Sequence, residues 1–115
     1  MVKYDLEERT LAFAKRVRLF LKKTPKDLNN VQDAKQLVRS SGSVGANYIE
    51  ANEALSKKDF VMRIKISRKE AKESSYWLKL LDTHDQSDLE RERGYLLDES
   101  QQLLKILSAI LVKSV

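Results

Sequence analysis

A chain of 115 residues with three glycines, one proline and no cysteine has room for one domain with a modest core, over residues 1–115. The shortage of glycine and proline argues against a strand-and-turn fold, and the lack of cysteine excludes disulfides and thiolate metal sites. The formal charge of +5 is unevenly spread: residues 1–23 carry net +4, 24–55 net −1, 56–83 net +4 and 84–115 net −2.

Helix one is expected near residues 5–23. Asp5 with Glu8 reads as a capping-box-like start, and Thr24-Pro25 ends the pattern. Leu6, Thr10, Phe13, Val17 and Phe20 recur at helical spacing and form one face. From Thr10 through Lys26 there are six basic residues and no acid. Lys15, Arg18 and Lys22 fall opposite the apolar face. None of them has a carboxylate three or four residues away.

Helix two is expected near 30–55, with Asn29 and Asn30 as capping candidates. Ala34, Ser41, Gly45 and Asn52 form a stripe of mostly small residues, with Leu37, Val44, Tyr48 and Leu55 beside it. Glycine inside a helix costs about 1 kcal/mol against alanine. Gly42 and Gly45 therefore point to a neighbouring helix backbone that must come close.

Helix three is expected near 57–83, capped by Ser56, with Asp59 in the first turn. Phe60, Ile64, Ser67, Ala71, Ser74, Leu78 and Leu81 form its inner face. Lys65, Arg68, Lys69 and Lys72 follow the i, i+3, i+4, i+7 spacing of a single stripe, and only Lys69 has an acid in helical reach, Glu73. Ordinary helix surfaces interleave signs, because i,i+4 pairs of opposite charge help and like pairs destabilise. Two unneutralised stripes thus suggest an anionic partner, extended polyanions such as RNA or DNA above all. Few aromatics interleave the stripes, which favours phosphate contact over base stacking. The competing reading is a scaffold whose basic surface docks an acidic protein.

Helix four is expected near 87–113, opened by a Ser87–Glu90 capping box. Its leucines and isoleucines, Leu97, Leu104, Ile106 and Ile110 among them, cover about half the circumference. One core-facing stripe needs only about 100°. The surplus is assigned to a neighbouring subunit, with Leu104 as an interface position, and the alternative is a central helix in an uneven bundle. Short connections then give an all-α, antiparallel up-down-up-down four-helix bundle that self-associates.

The inventory is poor in chemistry. His84 is the only histidine and sits in an expected loop. Glu50 with Glu53 and Glu70 with Glu73 lack the histidine that a bundle di-metal site needs. Ser40, Ser41 and Ser43 have no histidine to act as a base, and no phosphate-binding glycine loop is present. No enzyme activity, cofactor or metal is expected. The N-terminus, MVKYDLEERT, has no apolar stretch of a secretory signal, and no apolar run approaches the roughly 20 residues of a membrane span. A soluble, cytoplasmic protein is expected.

Two blocks carry a resemblance. Gln36 to Ala51, QLVRSSGSVGANYIEA, follows the pattern Q-L-x-R-S-x-x-S-V-x-x-N-x-x-E-A. Ser56-Lys57-Lys58-Asp59-Phe60, and then Lys69 to Leu78, KEAKESSYWL, follow S-K-x-D-F and K-E-A-x-E-x-x-Y-W-L. In these blocks the chain resembles the four-helix-bundle family named for the 23S rRNA intervening sequence proteins. Accessory proteins of diversity-generating retroelements are similar to it as well. The resemblance implies a homopentamer that engages nucleic acid or a nucleoprotein, a reverse transcriptase among the candidates, and it implies no enzymatic activity. Tyr48 departs from the pattern, since the family often has isoleucine directly after the asparagine, here Asn47.

Overall fold

The computed structural model describes residues 3–114. Among them the regular elements are α1 (Lys3–Lys23), α2 (Leu28–Asn52), α3 (Lys57–Leu80) and α4 (Ser87–Ser114). Each helix packs on two neighbours: α2 on α3, α3 on α4, and α1 on α2 and α4. The diagonals, α1 with α3 and α2 with α4, make no close contact among the described residues. Cross-helix bonds show the antiparallel order. Ser67 Oγ donates to the Val44 carbonyl at 2.7 Å and Ser74 Oγ to Ser40 Oγ at 2.9 Å, so numbers fall along α2 as they rise along α3. Arg9 to Glu99 and Arg16 to Glu92 show the same for α1 and α4.

The expected inner faces are buried. Leu6, Thr10, Phe13, Val17 and Phe20 line the core from α1, with Leu37, Val44 and Tyr48 from α2 and Ile64, Ala71 and Leu78 from α3. Phe60 is only partly buried. Tyr48, the departure from the family pattern, fills a core position, and the following Ile49 is left 45% exposed. Burial raises the Tyr48 hydroxyl pKa above its usual value. A Cβ added to Gly45 would lie 2.8 Å from Thr10 Oγ1 and 3.1 Å from Thr10 Cβ. This is the close crossing that the small-residue stripe requires. Gly42 is different: its added Cβ meets only the Arg18 guanidinium, at 3.5 Å.

Several helix ends differ from expectation. Asp27, not Asn29 or Asn30, caps α2, and its Oδ1 accepts the Asn30 N–H at 2.9 Å. That bond, with a smaller contribution from His84, holds the Asp27 carboxyl below its usual pKa. Asn30 is committed elsewhere: its buried side chain donates to the carbonyls of Pro25 and Asp82 and accepts the Asp82 N–H, tying two loops together. Helix α2 stops at Asn52, which leaves Leu55 outside it and 99% exposed. Ser56 caps α3 as expected, accepting the Asp59 N–H at 3.1 Å. Helix α3 stops at Leu80, and Arg93 donates to the carbonyls of Leu78 and Leu81 near its end. His84 and Asp85 then turn through positive φ, 55° and 59°, a region that both residue types tolerate. Asp5 lies within the first turn of α1, which begins at Lys3. Glu90 does not reach back to a capping position but accepts from Thr83 Oγ1 at 2.5 Å and pairs with Arg93.

The broad apolar arc of α4 is partly used inside the subunit. Leu89, Leu96, Leu103, Leu107 and Leu111 are buried, and Leu97, Leu104, Ile106 and Ile110 pack partly buried against the same core. Large apolar side chains stay open on every helix: Leu11 and Leu19 on α1, Leu28, Val31 and Ile49 on α2, Met62 and Leu80 on α3, and Val112 on α4.

Candidate nucleic-acid interface

The two basic stripes sit on different sides of the bundle, because α1 and α3 are diagonal. Lys15, Arg18 and Lys22 are exposed along α1. Lys65, Lys69 and Lys72 are exposed along α3, with Arg68 half-buried beside them. None of these seven cations lies within ion-pair distance of a carboxylate among the described residues. Arg18 turns back to donate to the Ala14 carbonyl at 3.2 Å. Glu73, the one acid in reach of Lys69, is drawn away. It accepts from Arg39 Nη2 at 2.6 Å and from the Trp77 indole N–H at 3.4 Å.

Four arginines outside the stripes behave oppositely. Arg9 grips Glu99 with two bonds of 2.7 and 2.8 Å. Arg16 grips Glu92 at 2.6 and 3.0 Å and lies 4.9 Å from the centre of the Tyr95 ring. Arg39 bridges Glu70 and Glu73, and Arg93 pairs with Glu90. These paired arginines staple helices or helix ends together, whereas the stripe lysines are exposed. Such a division leaves two positive surfaces whose charge is not cancelled locally. The Cα framework spans 24 × 19 Å across the shorter axes, and screening at physiological salt acts over about 8 Å. Each stripe therefore presents its own field.

One residue was missed on the sequence alone. Tyr76 extends the line of Lys65, Lys69 and Lys72 by four residues and is 58% exposed. Its ring meets Trp77 edge-on, with centroids 5.0 Å apart and planes at 80°. The signal was present in the spacing, but helical periodicity does not show whether an aromatic at the margin of a face turns inward or outward.

The remaining candidates are structural. Ser40 is buried and accepts from Ser74, and Ser41 and Ser43 bond to carbonyls of their own helix. Ser75 and Ser100 share a 2.6 Å hydrogen bond between α3 and α4. Asn52 is half-buried and donates to Glu7 at 2.7 Å, while Glu50 and Glu53 are exposed. His84 Nε2 lies 3.0 Å from Asp27 at the loop end of the bundle. Among the described residues no three histidine, aspartate or glutamate side chains gather where they could hold a metal, and no helix is long and apolar enough to cross a membrane.

Comparison with known proteins adds a lineage. The family model of the 23S rRNA-intervening sequence protein matches residues 3–109. A solved structure from Bacteroides thetaiotaomicron VPI-5482, described as a protein with unknown function from the S23 ribosomal protein family, is 30% identical. It covers 96% of this chain and 98% of its own, with a TM-score of 0.82. No curated protein matches the sequence.

Proposed function

The chain belongs to the 23S rRNA-intervening sequence protein family, and from that premise we propose that it is a non-enzymatic, oligomeric binding protein for RNA, DNA or a nucleoprotein. The observation that carries this reading is the clustering of seven cations, none engaged by a carboxylate, into two rows at helical spacing. Arg9, Arg16, Arg39 and Arg93 are engaged by carboxylates, whereas Lys15, Arg18, Lys22, Lys65, Arg68, Lys69 and Lys72 are not. An outward row of unpaired cations is what phosphate contact requires, and such contact does not depend on base sequence.

Self-association belongs to the same reading. A groove of about 500 Å³ runs between α1 and α2, lined by Leu11, Ala14, Gly42, Gly45, Ala46 and Ile49 and bordered by Glu7, Lys15 and Arg18. Its apolar floor suits the core of an interface between copies. The family resemblance favours five copies. A ring built on this groove would draw Lys15 and Arg18 toward the interface, repeat the α3 stripe around its circumference and give an extended polyanion several contacts at once.

Titration of RNA and duplex DNA against salt tests the proposal. Each phosphate neutralised contributes a slope near −0.9 in log K against log salt for duplex DNA and about −0.7 for single strands. Replacing Lys65, Arg68, Lys69 and Lys72 by glutamine should weaken binding to all sequences alike and flatten that slope. Replacing Lys15, Arg18 and Lys22 should do the same for the second surface. If the unmutated protein binds neither nucleic acid at low salt with Kd below about 10⁻⁴ M, the upper end of ordinary non-specific affinity, the reading fails. Docking of an acidic protein then takes its place.

A further inference from the structure

We propose that the outer face of α3 is a site for single-stranded nucleic acid, in which Lys65, Lys69 and Lys72 follow the phosphates and Tyr76 stacks on a base. This rests on the nucleic-acid reading above and narrows it to one strand form and one surface. At 1.5 Å of rise per residue, the four side chains span about 16 Å along one line of the helix. Lys79, also exposed, continues the charge beyond the ring.

The aromatic is held, not merely exposed. Trp77 packs edge-on against Tyr76, and the Trp77 indole is anchored by Glu73, which Arg39 of α2 fixes in turn. The same pairing withdraws the one nearby acid from Lys69. A single network thus braces the ring and leaves the row of cations uncancelled. Stacked bases in a duplex offer no free face to a surface tyrosine, whereas a single strand does. Groove-tracking cations combined with an aromatic platform are the general means of holding single strands.

The test compares a uridine oligomer of about 16 nucleotides with a duplex of equal length, using the full chain and anisotropy at fixed salt. Tyr76→Ala should weaken binding to the oligomer about 5- to 100-fold and leave the duplex unchanged. Tyr76→Phe, which keeps the ring, should bind within about twofold of the unmutated protein. The salt slope should not move in either variant, because no charge is removed. Trp77 is the single tryptophan and lies 5.0 Å from the Tyr76 ring, so its emission should change with the oligomer and not with the duplex. Equal binding of both strand forms by Tyr76→Ala and the unmutated chain would overturn the stacking site. If the glutamine variants of Lys65, Lys69 and Lys72 then still lost both forms, phosphate contact would stand without it. If the unmutated chain bound neither form, both readings would fall together.

Discussion

Gly42 and Gly45 are three residues apart on one helix, yet their surroundings predict opposite responses to substitution. A Cβ at Gly45 would press on Thr10, whose hydroxyl is already fixed by a bond to the Glu7 carbonyl at 3.0 Å. Gly45→Leu should therefore cost about 1–3 kcal/mol through overpacking. A Cβ at Gly42 meets only the tip of Arg18 at ordinary contact distance. Gly42→Ala should stabilise the chain by up to about 1 kcal/mol, the helix-propensity difference. Chemical denaturation of the two variants checks both signs. Sequence spacing placed both glycines near a crossing, but it could not say which one the neighbouring helix touches, since that depends on the rotation of α1 about its own axis.

At the scale of the elements, the helices were legible and their ends were less so. Periodicity located all four, because each buries one continuous apolar face. The ends are decided by side chains that reach between loops, and these are not local. Asn30 reads as a cap from sequence, but it is taken up by Pro25 and Asp82, so Asp27 caps α2. The Asp27 carboxyl is held below its usual pKa, chiefly by the Asn30 N–H. A depressed pKa in the folded state contributes stability above the ordinary aspartate range, and that stability is lost as pH falls through the folded value. Asp27→Ala should thus lower the Tm at neutral pH, and the two melting curves should converge once the carboxyl protonates. A Tm difference that stayed constant from pH 7 to pH 2 would show that the charge is not what matters. The α3 stripe has its own signature. Lys65–Lys69 and Arg68–Lys72 are like-charge pairs at i,i+4, each destabilising by a few tenths of a kcal/mol. Replacing the four cations by glutamine should leave the fold intact and raise stability slightly, which thermal melting at low salt would reveal. Loss of stability in that variant would mean that the stripe has a structural role.

For the whole molecule, the question is which face meets another copy. Leu104 is partly buried against its own core, so Leu104→Glu should lower the Tm of the subunit as well as the mass seen by light scattering. The groove between α1 and α2 is open, and Ile49 at its floor is 45% exposed. Ile49→Glu should leave helix content and Tm at low concentration unchanged while lowering the mass seen by light scattering. If the unmutated chain scatters as a monomer at micromolar concentration, the oligomeric part of the proposal is lost.

The sequence by itself determined the all-α bundle, its four helices, the inner faces of α1 to α3 and the two basic stripes. Those features follow from which residue types recur at helical spacing, and that is a local property. Tertiary structure decided what depends on neighbours distant in the chain. It turned Glu73 toward Arg39 and away from Lys69, and it set Tyr76 outward in line with the lysines. It also buried one side of the α4 arc and left its flanking residues, Leu97, Leu104, Ile106 and Ile110, partly covered. Helical period tells which residues share a face. Only the packing of four helices tells how many neighbours that face must satisfy and which charges are left without a partner.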